Sequence, residues 1–258
     1  MTLESIISAI GIPQQAWVDQ RIPKKLLVEN GAPTAADKRQ INDGIEEIRW
    51  LASLKPTTVG IPAYRDAERE YLELAILSAT FRLGAKSSRL TELFHRAIPY
   101  PILLIRETPE VARDDAGGEI VLSLAPLRWS QGEAGQTVLE SAPQITSLDP
   151  ESTATSAFLA SLSLSAIPRS DLRELYQGWI EAFEAYAAAR ITGEYQPPTD
   201  GARAERRRGA LAEHDALLRE IASLRAQAAK TKQLARRVEL NLQIRALESR
   251  LAETMATF

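Results

Sequence analysis

The chain has 258 residues, 45% of them apolar and 25% charged, with a net charge of −3 and no cysteine. This length and composition fit one large folded domain, or a domain with an appendage. The missing cysteine excludes a disulfide framework, thiolate-bound zinc, cysteine-held iron–sulfur clusters and a thiol nucleophile, and it fits a cytoplasmic location.

The first 17 residues lack a basic leading stretch, and Glu4, Ser5 and Ser8 interrupt their apolar run. No apolar stretch reaches about 18 residues, so neither a signal peptide nor a membrane span is expected. Charge is unevenly spread. Residues 201–258 hold 12 basic and 7 acidic side chains, whereas residues 1–200 hold 19 and 27. A basic C-terminal segment on an acidic body implies an acidic protein surface or nucleic acid as its partner, or simply a solvated helix face.

Leu3, Ile6, Ile7 and Ile10 follow helical spacing, and Gly11 closes that short helix. Pro13 opens a second short helix through Trp17. Ile22, ahead of Pro23, favours a connector or an edge strand. Lys24 and Lys25 could contact phosphate; the plainer reading is two exposed lysines beside buried Leu26 and Leu27. Thr34 and Asp37 resemble a capping box, and Ile41, Ile45, Ile48 and Leu51 predict one helix to about Ser53, with Trp50 on its flank. Pro56 bars its continuation.

Alternation of Tyr71, Glu73, Ala75, Leu77, Ala79 and Phe81 predicts a long strand over 70–82. Ser88 caps a helix with Leu90, Leu93, Phe94 and Ala97 inward, stopped at Pro99-Tyr100-Pro101. Further strands are expected at 102–105, 120–124 and 138–142, with turns at Gly117-Gly118 and at Gly132 and Gly135. The fold class is therefore α+β, a mixed sheet of about four strands with helices packed on one face. A short helix over 157–165 follows a polar loop. A strong helix from Ser170 then carries Tyr176, Trp179, Phe183 and Tyr186 as a core stripe. The body ends near 192, and residues 193–202, with Pro197-Pro198, read as a linker.

Residues 203–258 read as a helical coiled-coil arm. Leu217, Ile221 and Leu224 fall at 4-3 spacing, and Leu240, Ile244, Leu247 and Leu251 at 4-3-4. The first register predicts core positions at Ala228, Thr231, Ala235 and Val238, but the second does not continue it. Either one helix of about 75 Å rotates its sticky face, or two shorter helices fold on each other. With no glycine or proline at the shift, one long helix, or two nearly continuous ones, is expected. Arg206, Arg207 and Arg208 open the arm at the helix end that disfavours cations. They, and Arg236 and Arg237, are candidate contacts to nucleic acid or to an acidic partner.

Chemistry-bearing motifs are sparse. There is no Gly-Lys-Ser/Thr phosphate loop and no GxGxxG after a strand. His95 and His214 are too few for a metal centre, and His95, at a helix end, reads as a cap or a surface residue. Asp66, Glu68, Glu70 and Glu73 could serve a metal-dependent nuclease, but the next strand supplies Glu107 and no lysine. The plainer reading is a charged sheet edge, and Asp114-Asp115 is turn chemistry. No cofactor, metal or catalytic residue is expected.

Arg21-Ile22-Pro23-Lys24-Lys25-Leu26, Ile45-Glu46-Glu47-Ile48-Arg49-Trp50, Ile98-Pro99-Tyr100-Pro101 and the segment 232–241 together resemble a family of bacterial proteins of unknown function. Its members are commonly encoded beside SNF2-type helicases and type III-like DNA methyltransferases in restriction or phage-defence loci. The resemblance covers nearly the whole chain and brings no catalytic residues to transfer. It implies a non-motor component of a DNA-defence or modification system. Together with the arm read from the periodicity, the expectation is an accessory or scaffold subunit that docks a helicase or methyltransferase, or self-associates, through the coiled coil. A nucleic-acid-processing enzyme of the same system is the alternative, with direct DNA contact by the basic arm as a third reading.

Overall fold

The computed structural model describes residues 1–108, 118–133, 135–198, 201–255 and 258. Their contacts divide the chain into two units, Met1–Ile180 and Glu181–Phe258. The elements of the first unit run α1 (Leu3–Ile10), β1 (Trp17–Arg21), α2 (Lys24–Gly31), α3 (Ala35–Gly44), β2 (Ile45–Leu54) and α4 (Pro56–Val59). After them come β3 (Tyr64–Arg65), β4 (Glu70–Tyr71), β5 (Leu74–Phe81), α5 (Ser87–Ala97), β6 (Ile102–Glu107) and β7 (Ile120–Leu124). The series closes with β8 (Leu127–Trp129), β9 (Thr137–Leu139), β10 (Gln144–Ser147) and α6 (Thr153–Ser161), and α7 (Leu172–Thr192) spans the division.

The sheet is mixed, as expected, but among the described residues it has six strands rather than about four, in the order β1-β2-β5-β6-β7-β10. The two strands not expected are β1, a short edge, and β2, a ten-residue strand beside it. All five residues of β1 are exposed, so it carries no buried alternation to read. A register shift interrupts its pairing with β2, and Asp19 sits at φ 46°, held by Arg49 at 2.6 Å. The strand expected over 138–142 is split in two. Its start pairs with β8 in a separate ribbon, and β10 begins only at Gln144.

The strand–helix–strand reading around α5 is met: β5 and β6 are parallel, and all other neighbours in the sheet are antiparallel. Along one face Ile45, Ile48, Leu77, Phe81 and Leu104 pack with Leu27 of α2, Ile41 of α3, and Leu90, Leu93 and Phe94 of α5. The Phe81 and Phe94 rings stack at 5.9 Å. The intervening Leu74, Ile76, Leu103, Ile105, Leu122 and Leu124 turn to the opposite face and are buried equally. Both faces are therefore covered, not one, which explains the continuous apolar runs of β5 and β6.

One expected helix is overturned. The helix entered at Thr34 stops at Gly44, after Asn42-Asp43, and residues 45–54 form β2. The reason is in its pairing with β5, which shifts register at Ile45/Glu47 and again at Trp50/Ala52. Each extra residue breaks the period-two alternation. Ile45, Ile48 and Leu51 are buried at spacings of three, and so imitate a helical stripe. The expected turn residues Asp114, Asp115 and Gly117 lie outside the described residues. Among the described residues, no helix is long and apolar enough to cross a membrane.

Candidate functional site

The carboxylates that a nuclease would need are each engaged separately. Asp66 accepts from the backbone N–H of Glu68 (2.7 Å) and of Arg69 (2.6 Å) and from the Tyr64 hydroxyl (2.6 Å). Glu68 pairs with Arg69 at 2.9 Å and Glu70 with Arg65 at 3.0 Å. Glu73 is buried, accepts from the Ser53 hydroxyl, and lies 3.1 Å from Lys55 Nζ. Glu107 stands apart at the end of β6, its carboxyl pushed up by burial. No group of three or more potential metal ligands occurs among the described residues.

His95 is neither a cap nor a surface residue. It is buried in the last turn of α5, and its Nε2 lies 3.0 Å from the Ser123 Oγ on β7. Burial depresses the imidazole to about 3, so it stays neutral near pH 7. Ser123 is buried too, which makes the pair a packing feature and not a nucleophile open to substrate.

The second unit contains α8 (Gly201–Lys230) and α9 (Leu234–Met255). They pack on each other. Arg225–Glu248 at 2.6 Å and Arg250–Glu213 at 3.0 Å cross between them, which sets them antiparallel. The C-terminal segment is thus a helical hairpin in place of one long helix. The turn needs no glycine because Thr231 ends α8: its hydroxyl donates to Gln227 O at 2.8 Å and its N–H to Ala228 O at 3.3 Å. Side-chain capping of this kind satisfies carbonyls that the helix leaves open.

Within the hairpin, Leu217, Ile221, Leu240 and Ile244 are buried, and Leu224, Leu247 and Leu251 are partly buried. The two 4-3 stripes therefore line the inner faces of a hairpin made by one chain. Ala228 is buried and Thr231 half-buried, but Ala235 and Val238 are exposed, since the turn ends the first register. What remains outside is a second stripe. Leu234 is 66% exposed, Val238 50% and Leu242 61%. They fall at i, i+4 and i+8, and Leu242 lies two residues from both Leu240 and Ile244, about 160° around the helix. The stripe looks away from α8. Its signal in the sequence was the mismatch of registers, which places these three residues off the second seam.

The basic residues are not equivalent. Arg207 is 4% exposed; its Nη2 donates to Gln196 O at 3.1 Å, its Nη1 has no hydrogen-bond partner among the described residues, and burial lowers its pKa. Arg208 clamps the buried Glu184 at 2.7 and 3.3 Å. Arg206 alone of that triplet is exposed with no ion pair among the described residues. At the other end of α8, about 35 Å away by helical rise, Arg236 pairs with Glu239 at 2.6 Å, and Arg237 is exposed without an ion pair among the described residues. The two arginine groups therefore do not form one patch. In the first unit, Lys24 donates to Asn42 O at 3.0 Å, with its pKa lowered chiefly by partial burial, and Lys25 pairs with Glu29 at 3.4 Å.

No curated protein and no solved structure matches this chain. A family described as a domain of unknown function, DUF4391, matches residues 10–251, and the chain belongs to it.

Proposed function

We propose that this member of the family is a non-catalytic accessory subunit that docks another protein through the outer surface of its C-terminal hairpin. One observation carries the reading: Leu234, Val238 and Leu242 form an exposed apolar stripe on α9, although the hairpin already closes its own seam. Scattered exposed leucines are ordinary, but an aligned set at helical spacing is the form that helix-docking surfaces take. The setting, a bacterial anti-phage or restriction–modification complex with an SNF2-type helicase or a DNA methyltransferase as partner, rests on the family resemblance of the sequence motifs. A coiled-coil contact with that partner, or with a second copy, uses this outer stripe and not the buried seam.

The test is co-expression with an SNF2-type helicase and with a DNA methyltransferase of a restriction or phage-defence locus that carries this gene, for the wild-type chain and for L234E/V238E/L242E. A stable complex that the triple variant cannot form supports the reading. An unimpaired complex with the variant overturns it.

A further inference from the structure

Resting on that docking reading, we propose that the outer face of α9 receives an acidic amphipathic helix of the partner protein. Residues 230–238 contain Lys230, Lys232, Arg236 and Arg237 and no carboxylate. Lys230, Lys232, Arg237 and Arg245 have no ion pair among the described residues, and all four are exposed. Arg237, Asn241 and Arg245 follow one flank of the Leu234–Val238–Leu242 stripe at four-residue spacing. An apolar strip with a cationic flank is complementary to a helix that carries leucines at the same spacing beside Asp or Glu.

Other occupants fit less well. Phosphates of nucleic acid satisfy the cations but leave three large apolar side chains in water. A second copy of α9 presents a flank of the same sign, which repels. Three side chains also fall short of the roughly 800 Å² per partner that a stable globular interface covers. They match one short helix.

The probe is a fluorescein-labelled helical peptide of about 20 residues, long enough to hold some helix alone, with leucines at i, i+4 and i+8 and glutamates on both flanks. A second peptide has lysine in place of each glutamate. Anisotropy titrations use the full chain. The proposal expects micromolar binding of the acidic peptide, binding of the lysine peptide at least about tenfold weaker, and a further loss of about tenfold in high salt. It expects K232E/R237E/R245E to invert the preference between peptides, and L234E/V238E/L242E to abolish binding with helix content unchanged by circular dichroism. Equal binding of both peptides, or of neither, overturns it. So does capture by phosphatidylserine vesicles or duplex DNA in place of the peptide, or dimerisation of the chain that the leucine variant removes. If L234E/V238E/L242E still forms the native complex, the docking reading itself falls; if that complex is lost but the acidic peptide never binds, only the partner class falls.

Discussion

His95 Nε2 and Ser123 Oγ lie 3.0 Å apart, and both side chains are buried between α5 and β7. Burial lowers the imidazole to about 3, against about 6.5 in an unfolded chain. The unfolded state therefore binds more protons at mildly acidic pH. The stability this difference contributes is complete above about pH 6.5 and is lost as pH falls towards 3. Between pH 7.5 and 5 the loss is about 2 kcal/mol. Urea unfolding at the two pH values checks it: His95→Gln removes that share of the slope, and a variant that keeps the full slope contradicts the assignment.

Asp37 titrates lower still. Hydrogen bonds from Arg89 at 2.8 and 3.0 Å, and from the Thr34 hydroxyl at 2.7 Å, hold its carboxyl at about 2. A depressed carboxyl contributes stability above its unfolded value, near 4, and that stability drains away as pH falls to 2. Asp37→Asn is therefore less stable than wild type at pH 7, and the two converge near pH 2. Thermal midpoints at pH 7, 4 and 2.5 measure the convergence; a constant gap at all three rules it out.

Tyr176 ties α7 to the sheet. Its hydroxyl accepts from Ala125 N–H at 2.8 Å and donates to Ile102 O or Ala125 O, at 2.9 and 3.0 Å. Tyr176→Phe leaves a buried donor unpaired, at a cost of about 1–3 kcal/mol. Equilibrium unfolding in urea reports it, and a loss below about 0.5 kcal/mol is inconsistent with the bond.

Gly31 ends α2 where α2 crosses α5. An added Cβ lies 2.6 Å from the Ala97 Cβ and 2.9 Å from Leu93 O. Alanine gains about 1 kcal/mol of helix propensity over glycine, but overpacking here costs about 1–3 kcal/mol. Gly31→Ala is a net destabiliser by denaturation midpoint; a stabilised variant means that the crossing has room for a methyl group.

Leu240 and Leu242 are two residues apart on α9, one 1% and the other 61% exposed. Leu240→Ala costs about 2–5 kcal/mol as a buried truncation, and Leu242→Ala stays within about 0.5 kcal/mol. Equal effects of the two on the thermal midpoint contradict the hairpin.

The sequence discloses elements whose burial pattern is regular. β6, β7 and α5 sit where the apolar runs and helical spacing put them, and the parallel crossover follows from their order; of the strand expected over 70–82, Leu74–Phe81 forms β5, while Glu70–Tyr71 pairs with β3 in a separate ribbon. β2 is hidden because two register shifts give Ile45, Ile48 and Leu51 helical spacing. β1 is hidden because nothing in it is buried. On the C-terminal segment, the 4-3 stripes identify the apolar seam but not which chain fills it. The register break near Lys230 is a turn built on Thr231, a residue that does not mark a break by type. The triplet 206–208 looks uniform, yet burial separates Arg207 and Glu184 separates Arg208 from Arg206. Only tertiary contacts make that distinction.

The most direct test of the account is photo-crosslinking in native cells, with a benzophenone amino acid at Val238 and, in a second strain, at Glu220, an exposed position on α8. Docking through the outer face of α9 predicts a single strong adduct from position 238, absent from position 220 and lost with L234E/L242E. No adduct at 238, or the same adducts from both positions, contradicts it.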